Sequence, residues 1–184
     1  MDIPKLVNDL NTQSGRPSCK NLTILFYGLN EAHIHLPAGD ICAAGGLRNY
    51  LEDIWGTEAT AEVLNRDWEV IDTDDELTSH FHGSYDTFDW KGYEEALEAF
   101  DNGGLDIETF CAGLECEIKP EYINDAYIGY HCNDVSFVMS YYEDLVMDSI
   151  PEKYKSYFNW DDYARDVMLD SNHVSYNHNY FNKP

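Results

Sequence analysis

The sequence predicts an α+β protein laid out as a chain of three small domains, and three observations carry that expectation. Short apolar runs with strand character stand in the first and last thirds. Between them, apolar residues recur at helical spacing, with acids on the remaining faces. The charge is also unevenly shared. The 184 residues hold 35 acids and 11 bases, a net charge of −24, and residues 51–152 alone hold 27 of the acids and 3 of the bases. A content of 43% hydrophobic and 14% aromatic residues suffices for folded cores. The expected layout is a flexible arm over 1–20, a small sheet with one helix over 21–76, an acidic helical domain over 77–120 and a second α+β domain over 121–184.

Residues 22–28, LTILFYG, form a short β-prone apolar run and predict a buried strand. LNEA makes a turn, and HIHLP returns as a second strand that stops at Pro37. In GGLRNYLEDIWG, Leu47, Tyr50, Leu51 and Ile54 fall at helical spacing, and Gly56 suits the helix end. Gly45-Gly46 reads either as a turn or as an anion-binding helix start. DWEVID alternates as a third strand. In WKGYEEALEAFDNGG, Tyr93, Ala96, Leu97 and Phe100 make an apolar stripe. In LDIETFCAGLEC the stripe is Ile107, Phe110, Cys111 and Leu114, and the Gly-Gly link between the two helices predicts an αα-hairpin. AYIGYH is a strand, and Asn133 is the N-cap of a long helix with Val135, Val138, Met139, Tyr142, Leu145 and Val146 on one face. A short helix starts at Pro151, another is capped by Asn159, and HVSYNHNYF closes as a single strand.

Several function classes are disfavoured. No apolar run approaches the roughly 18–20 residues that span a bilayer, and MDIPKLVNDL lacks a signal-peptide pattern, so a cytoplasmic protein is expected. Five cysteines at irregular spacing predict free, mostly buried thiols. So few bases among so many acids predict repulsion from nucleic acid and anionic membranes, and attraction to basic clefts. No nucleophile elbow, phosphate-binding loop, dinucleotide fingerprint or zinc-protease motif occurs, and no cofactor is expected.

Two metal-site patterns need weighing. An EF-hand loop started at Asp72 would place Leu77 where glycine is required and Gly83 where glutamate is required, so it fails. His33-x-His35 and His80-x-His82 would each put two imidazoles on one face of a strand, as in some zinc sites, but the cysteine spacings complete no zinc module. A metal-dependent enzyme built on the Asp72–Glu76 cluster and these histidines stands as the alternative from a different class. The fourteen tyrosines read equally as thin cores with a wet edge or as parts of an interface.

What remains is the charge. Asp72, Asp74, Asp75 and Glu76 crowd into five positions, and such packing of like charge destabilises a compact state. Glu143, Asp144 and Asp148 stand near a helix C-terminus, where the dipole disfavours anions. B-DNA carries one charge per about 1.7 Å, so a net charge of this size corresponds to roughly 40 Å of duplex, about 12 base pairs. A row of small acidic modules matches that density and would occupy a DNA-binding cleft. The predicted phosphate surrogates are Asp72, Asp74, Asp75, Glu76, Asp86, Asp89, Glu94, Glu95, Glu98, Asp101, Asp106, Glu108, Glu115, Glu117, Asp134, Glu143, Asp144 and Asp148. A halophile's acidic coat is the plainer alternative, although it would be spread more evenly along the chain.

SIPEKYKSYFNWDDYARDVML, residues 149–169, resembles the C-terminal signature of the ArdA antirestriction proteins. The residues that carry it are Ile150, Pro151, Tyr157, Phe158, Asn159, Trp160, Ala164, Arg165 and Asp166, with Val167 in place of the usual leucine. AYIGYHCNDVSFVMSYYED is similar to the segment feeding the family's long acidic helix, and DWEVIDTDD to the end of its first domain. The resemblance covers about residues 67–170. It implies an elongated protein of three small domains, commonly a homodimer. Such a protein imitates bent DNA and occupies the DNA-binding groove of type I restriction–modification enzymes in a bacterial host, protecting phage or plasmid DNA. Another host defence nuclease, such as a CRISPR effector, offers the same kind of basic cleft and stays open as a target.

Overall fold

The computed structural model describes residues 21–27, 32–73, 76–83, 88–170 and 172–184. The arm expected over 1–20 and the turn expected after the first strand lie outside the described residues, apart from Ala32. The protein is α+β, with ten helices and two small antiparallel sheets among the described residues. It divides into two compact units, Met1–Asn102 and Gly103–Pro184.

In the first unit β1 (Asn21–Phe26) lies between β2 (Ala32–Pro37) and β3 (Trp68–Thr73), antiparallel to both. The period of two along each strand turns Leu22, Ile24, Phe26, Ile34, Leu36 and Val70 to one face, all buried. Register pairs Ile24 with Ile34 on one side and Val70 on the other. A bulge between Thr23 and Ile24 leaves Ile71 as the extra residue, and it is exposed. Helices α1 (Ala38–Ala43), α2 (Leu47–Trp55), α3 (Thr57–Leu64), α4 (Glu76–His80) and α5 (Trp90–Asn102) complete the core with Ile41, Leu51, Val63, Leu77 and Tyr93.

Three helices therefore precede β3, where the sequence predicts one. Six residues are too few for α1 to show a period. Gly56 reads as the end of α2, but it also opens α3: its φ of 81° and ψ of 162° serve both helix ends, a conformation suited to glycine. Gly45-Gly46 is a turn. Gly45 (φ 78°) donates to the Cys42 carbonyl and Gly46 to the Ile41 carbonyl, the paired bonds of a Schellman motif ending α1. His80 and His82 share no strand: His80 ends α4, and His82 Nε2 lies 2.8 Å from the Val70 carbonyl oxygen.

In the second unit the sheet order is β4 (Tyr127–Tyr130), β6 (Asn179–Asn182), β5 (His173–Tyr176). The sequence predicts one closing strand, but Asn177 (φ 46°) and His178 (φ 67°) fold it into a β5–β6 hairpin. Positive φ at both central residues is the two-residue turn that matches strand twist, and asparagine tolerates it better than most residues. Central β6 is buried on both faces. Tyr180 faces α8 (Asp134–Ser149) and α10 (Trp160–Leu169), packing with Phe137, Val138 and Ala164. Phe181 and Asn179 face the other way, where the Tyr127 ring packs at a tilt on Phe181 and its hydroxyl donates to Asn179 Oδ1 at 3.3 Å. On that side lie α6 (Ile107–Glu115) and α7 (Pro120–Ala126).

The expected αα-hairpin of residues 90–115 is not a unit of the fold. Helix α5 packs on α1 and α4 in the first unit, whereas α6 packs on α7, β5 and β6 in the second. The cap of α8 is as predicted, with Asn133 Oδ1 accepting from Ser136 N–H and Ser136 Oγ returning to the Asn133 backbone. The expected apolar stripe on α8 needs correction at Leu145, which is 71% exposed. The thiols are free, yet only Cys111 is buried among those described. Cys42 and Cys116 are half-buried and Cys132 is exposed. Burial, reinforced by the charge of Glu94, pushes the Cys42 thiol up to about 11, which keeps it unreactive.

Candidate functional site

Asp74, Asp75 and Asp86 lie outside the described residues. Every other predicted phosphate surrogate is exposed. In the first unit Asp72 stands near the end of β3, Glu76 opens α4, and Asp89 precedes α5. Glu94, Glu95, Glu98 and Asp101 ride on α5 away from buried Tyr93 and Ala96, as the amphipathic spacing requires. In the second unit Glu108 and Glu115 lie on α6, with Asp106 and Glu117 flanking it. Asp134, Glu143, Asp144 and Asp148 lie on α8.

Some of these carboxylates also hold the fold. Asp89 Oδ1 accepts from Gly92 N–H at 3.0 Å and caps α5. Asp72 Oδ1 accepts from Thr73 N–H at 2.9 Å. Asp134 Oδ1 accepts from the Tyr180 hydroxyl at 2.7 Å, tying α8 to β6. Asp106 caps α6, accepting from Thr109 N–H and from Thr109 Oγ1, each at 2.9 Å. Those bonds, the backbone one first, hold its carboxyl below the usual range. Asp106→Ala should therefore cost about 1 kcal/mol in urea unfolding, whereas Asp106→Asn keeps an N-cap acceptor and should cost little. In binding, both variants lose the same charge.

Other acids sit where local rules oppose them. No base stands in the last turn of α8, which carries Asp148, and Glu143 and Asp144 lie one turn earlier. Glu117 is the sharper case. It follows α6 with φ 58° and donates to the Leu114 carbonyl, while Ile118 donates to the Gly113 carbonyl. These are the same paired bonds that Gly45 makes after α1, with glutamate where glycine is preferred. Glu117→Gly should raise stability by roughly 0.5–1 kcal/mol, the left-handed cost relieved less the entropy glycine adds to the unfolded chain. A rightward shift of the urea midpoint at constant m-value would show it.

The ion pairs among the described residues are local. Glu95 meets Lys91 at 3.4 Å, both well exposed, and other ion pairs join helix neighbours such as Arg48–Glu52 and Arg66–Glu62. Pairs of this kind offset little of the repulsion. The acidic surface also extends past the predicted set, to exposed Glu58 and Glu62 on α3 and Glu121 and Asp125 on α7. Sequence reasoning left these out because it assigned neither helix, although Ala59, Val63 and Ile123 carried the apolar spacing.

The segment at 149–169 splits between core and surface. Ala164 is 1% exposed against Phe137 and Val138, and its small side chain lets α10 pack close to α8. Trp160 is half-buried against Phe158 and Tyr163. Ile150 is half-buried at the end of α8, and exposed Pro151 opens α9 (Glu152–Lys155). Tyr157 is 83% exposed. Arg165 bridges Asp162 at 3.1 Å and Asp166 at 3.3 Å on the outer face of α10.

No group of three or more His, Cys, Asp or Glu among the described residues is placed to hold a metal ion. His33 and His35 share the sheet face opposite the core, where Thr23 Oγ1 lies 2.9 Å from His35 Nδ1. No described helix is long and apolar enough to cross a membrane.

The family model of the antirestriction protein ArdA matches residues 38–182, a longer stretch than the 67–170 that the motifs alone cover. No curated protein matches the chain. The match runs from α1 to the β5–β6 hairpin and takes in most of both compact units, so the chain belongs to the ArdA family of antirestriction proteins.

Proposed function

We propose that this protein is a non-enzymatic DNA mimic that occupies the DNA-binding groove of a type I restriction–modification enzyme and so protects incoming phage or plasmid DNA. The observation that carries the reading is the placement of the acids. All the described surrogates are exposed, and Glu117, Glu143, Asp144 and Asp148 are kept at positions where a protein selected for stability alone would carry glycine or a base. Charge at such density gains from a basic cleft what it loses in self-repulsion. The helices and caps fix each carboxylate on its own unit, and both compact units contribute acids to the imitation. The working form is a homodimer in the bacterial cytoplasm, free of cofactors.

A competition assay tests this. Purified protein is titrated against labelled duplex on a type I restriction–modification complex at low and at high salt. Stoichiometric displacement that weakens with salt is the expected result. Absence of displacement at low salt would remove this target and leave other defence nucleases. Stoichiometric zinc or manganese in the purified protein would favour the metal-enzyme alternative.

A further inference from the structure

His173, in the closing segment HVSYNHNYF, is one of the most enclosed polar side chains of the second unit, at 5% exposure. It stands at the start of β5 and turns toward α8. Its ring meets Phe137 edge-on at 5.1 Å between centroids, Tyr141 at 5.5 Å and Tyr142 at 5.8 Å. Nε2 lies 2.6 Å from the Tyr142 hydroxyl. Nδ1 is buried with no hydrogen-bond partner. The neutral ring fits this site with one nitrogen satisfied, whereas an imidazolium would bury a charge and a second N–H for which only the Asn182 side chain offers an acceptor.

The surroundings offer little compensation. Helix α8 presents the Tyr141 ring and the Tyr142 hydroxyl, and burial pushes the latter up, so it stays uncharged. On β6 the residue opposite is Asn182. Helix α10 brings Tyr163 against Tyr142, while its acids Asp161, Asp162 and Asp166, and Asp170 just after it, are exposed. Helix α6 packs on the other face of the sheet. Burial holds the His173 imidazole below its usual range, and the Asn182 side chain opposes this only partly.

We propose that His173 is a proton-sensitive latch: neutral, it closes the β5–β6 hairpin onto α8, and on taking up a proton it releases the hairpin. The latch stands on the fold of the second unit and does not rest on the DNA-mimic reading. The sign follows from linkage. With the folded value depressed, the unfolded chain binds the extra proton first, so stability is fully present above about pH 6.5 and falls as pH drops below it. The loss approaches a tenfold rise in the unfolding constant per pH unit until the folded value is reached.

The test uses the full chain. Ring resonances of His173 are followed by NMR from pH 8 to 5, together with amide exchange of residues 173–182 corrected for intrinsic rates. Titration of His173 below pH 6.5, coupled to loss of hairpin protection, is expected. Titration near 6.5 with protection unchanged would overturn the latch. Urea unfolding of His173→Gln and His173→Phe gives a second measure, because comparison with wild type at each pH cancels the many carboxylates. A folded variant should lose the extra acid sensitivity. If neither folds, the wild-type titration decides alone.

Discussion

Amide substitution at Glu94, Glu98 and Asp101 on α5 together with Glu143, Asp144 and Asp148 on α8 is expected to weaken inhibition of a type I restriction–modification enzyme on the order of 10²-fold. The same variant should be at least as stable as wild type. All six are exposed, and the set leaves out the capping acids and Glu95, which meets Lys91. Each charge in a wet, salt-screened interface contributes about 0.5 kcal/mol, so a single substitution should change affinity two- to threefold and six should sum to about 3 kcal/mol. Stability moves the other way because removing like charge relieves self-repulsion. Inhibition titrations and urea unfolding of the same preparations give both readouts. A single member of the set that abolished inhibition would point to a discrete site. A six-fold variant with full potency would rule out charge imitation on these helices.

The parts of this molecule legible from sequence are those where one local rule decides. The strand run within LTILFYG, found over Asn21–Phe26, the stripe on α5 and the caps at Asn133 and Asn159 need no distant partner to be read. The misreadings lie where tertiary context overrides a local signal. Alternation in HVSYNHNYF suits one strand, but burial of Asn179, Tyr180 and Phe181 on two faces requires a central strand, hence the hairpin. The link between α5 and α6 looks like a tight hairpin turn, yet each helix has its partners in a different unit. Exposure of the acids was legible because carboxylates are rarely buried unpaired. Their double use as caps was legible only in part. Asp89 and Asp106 stand three residues before the backbone N–H groups they accept from, a spacing their charge drew attention away from.

The stripe on α8 turns the same lesson into a measurement. Spacing alone places Leu145 in the apolar face and passes over Phe137, whereas Phe137 is fully buried and Leu145 is 71% exposed. Phe137 stacks on Tyr180 at 4.5 Å between centroids and meets the His173 ring edge-on, so it joins α8 to the sheet. Phe137→Ala should therefore destabilise the second unit by about 3–5 kcal/mol, the lost transfer energy plus the cavity left among rings that cannot collapse. Leu145→Ala should stay within about 0.5 kcal/mol, since the leucine gains little from folding. A loss of 3–5 kcal/mol is a large part of the stability of an ordinary domain. Phe137→Ala should thus lose inhibition as well, without the removal of any charge. Its loss should be recovered in part by cooling or a stabilising osmolyte, because the missing quantity is folded protein. The six-amide variant should not respond in that way, because it is folded and lacks only charge. Equal mildness of Phe137→Ala and Leu145→Ala would mean that α8 meets the sheet through some other side chain.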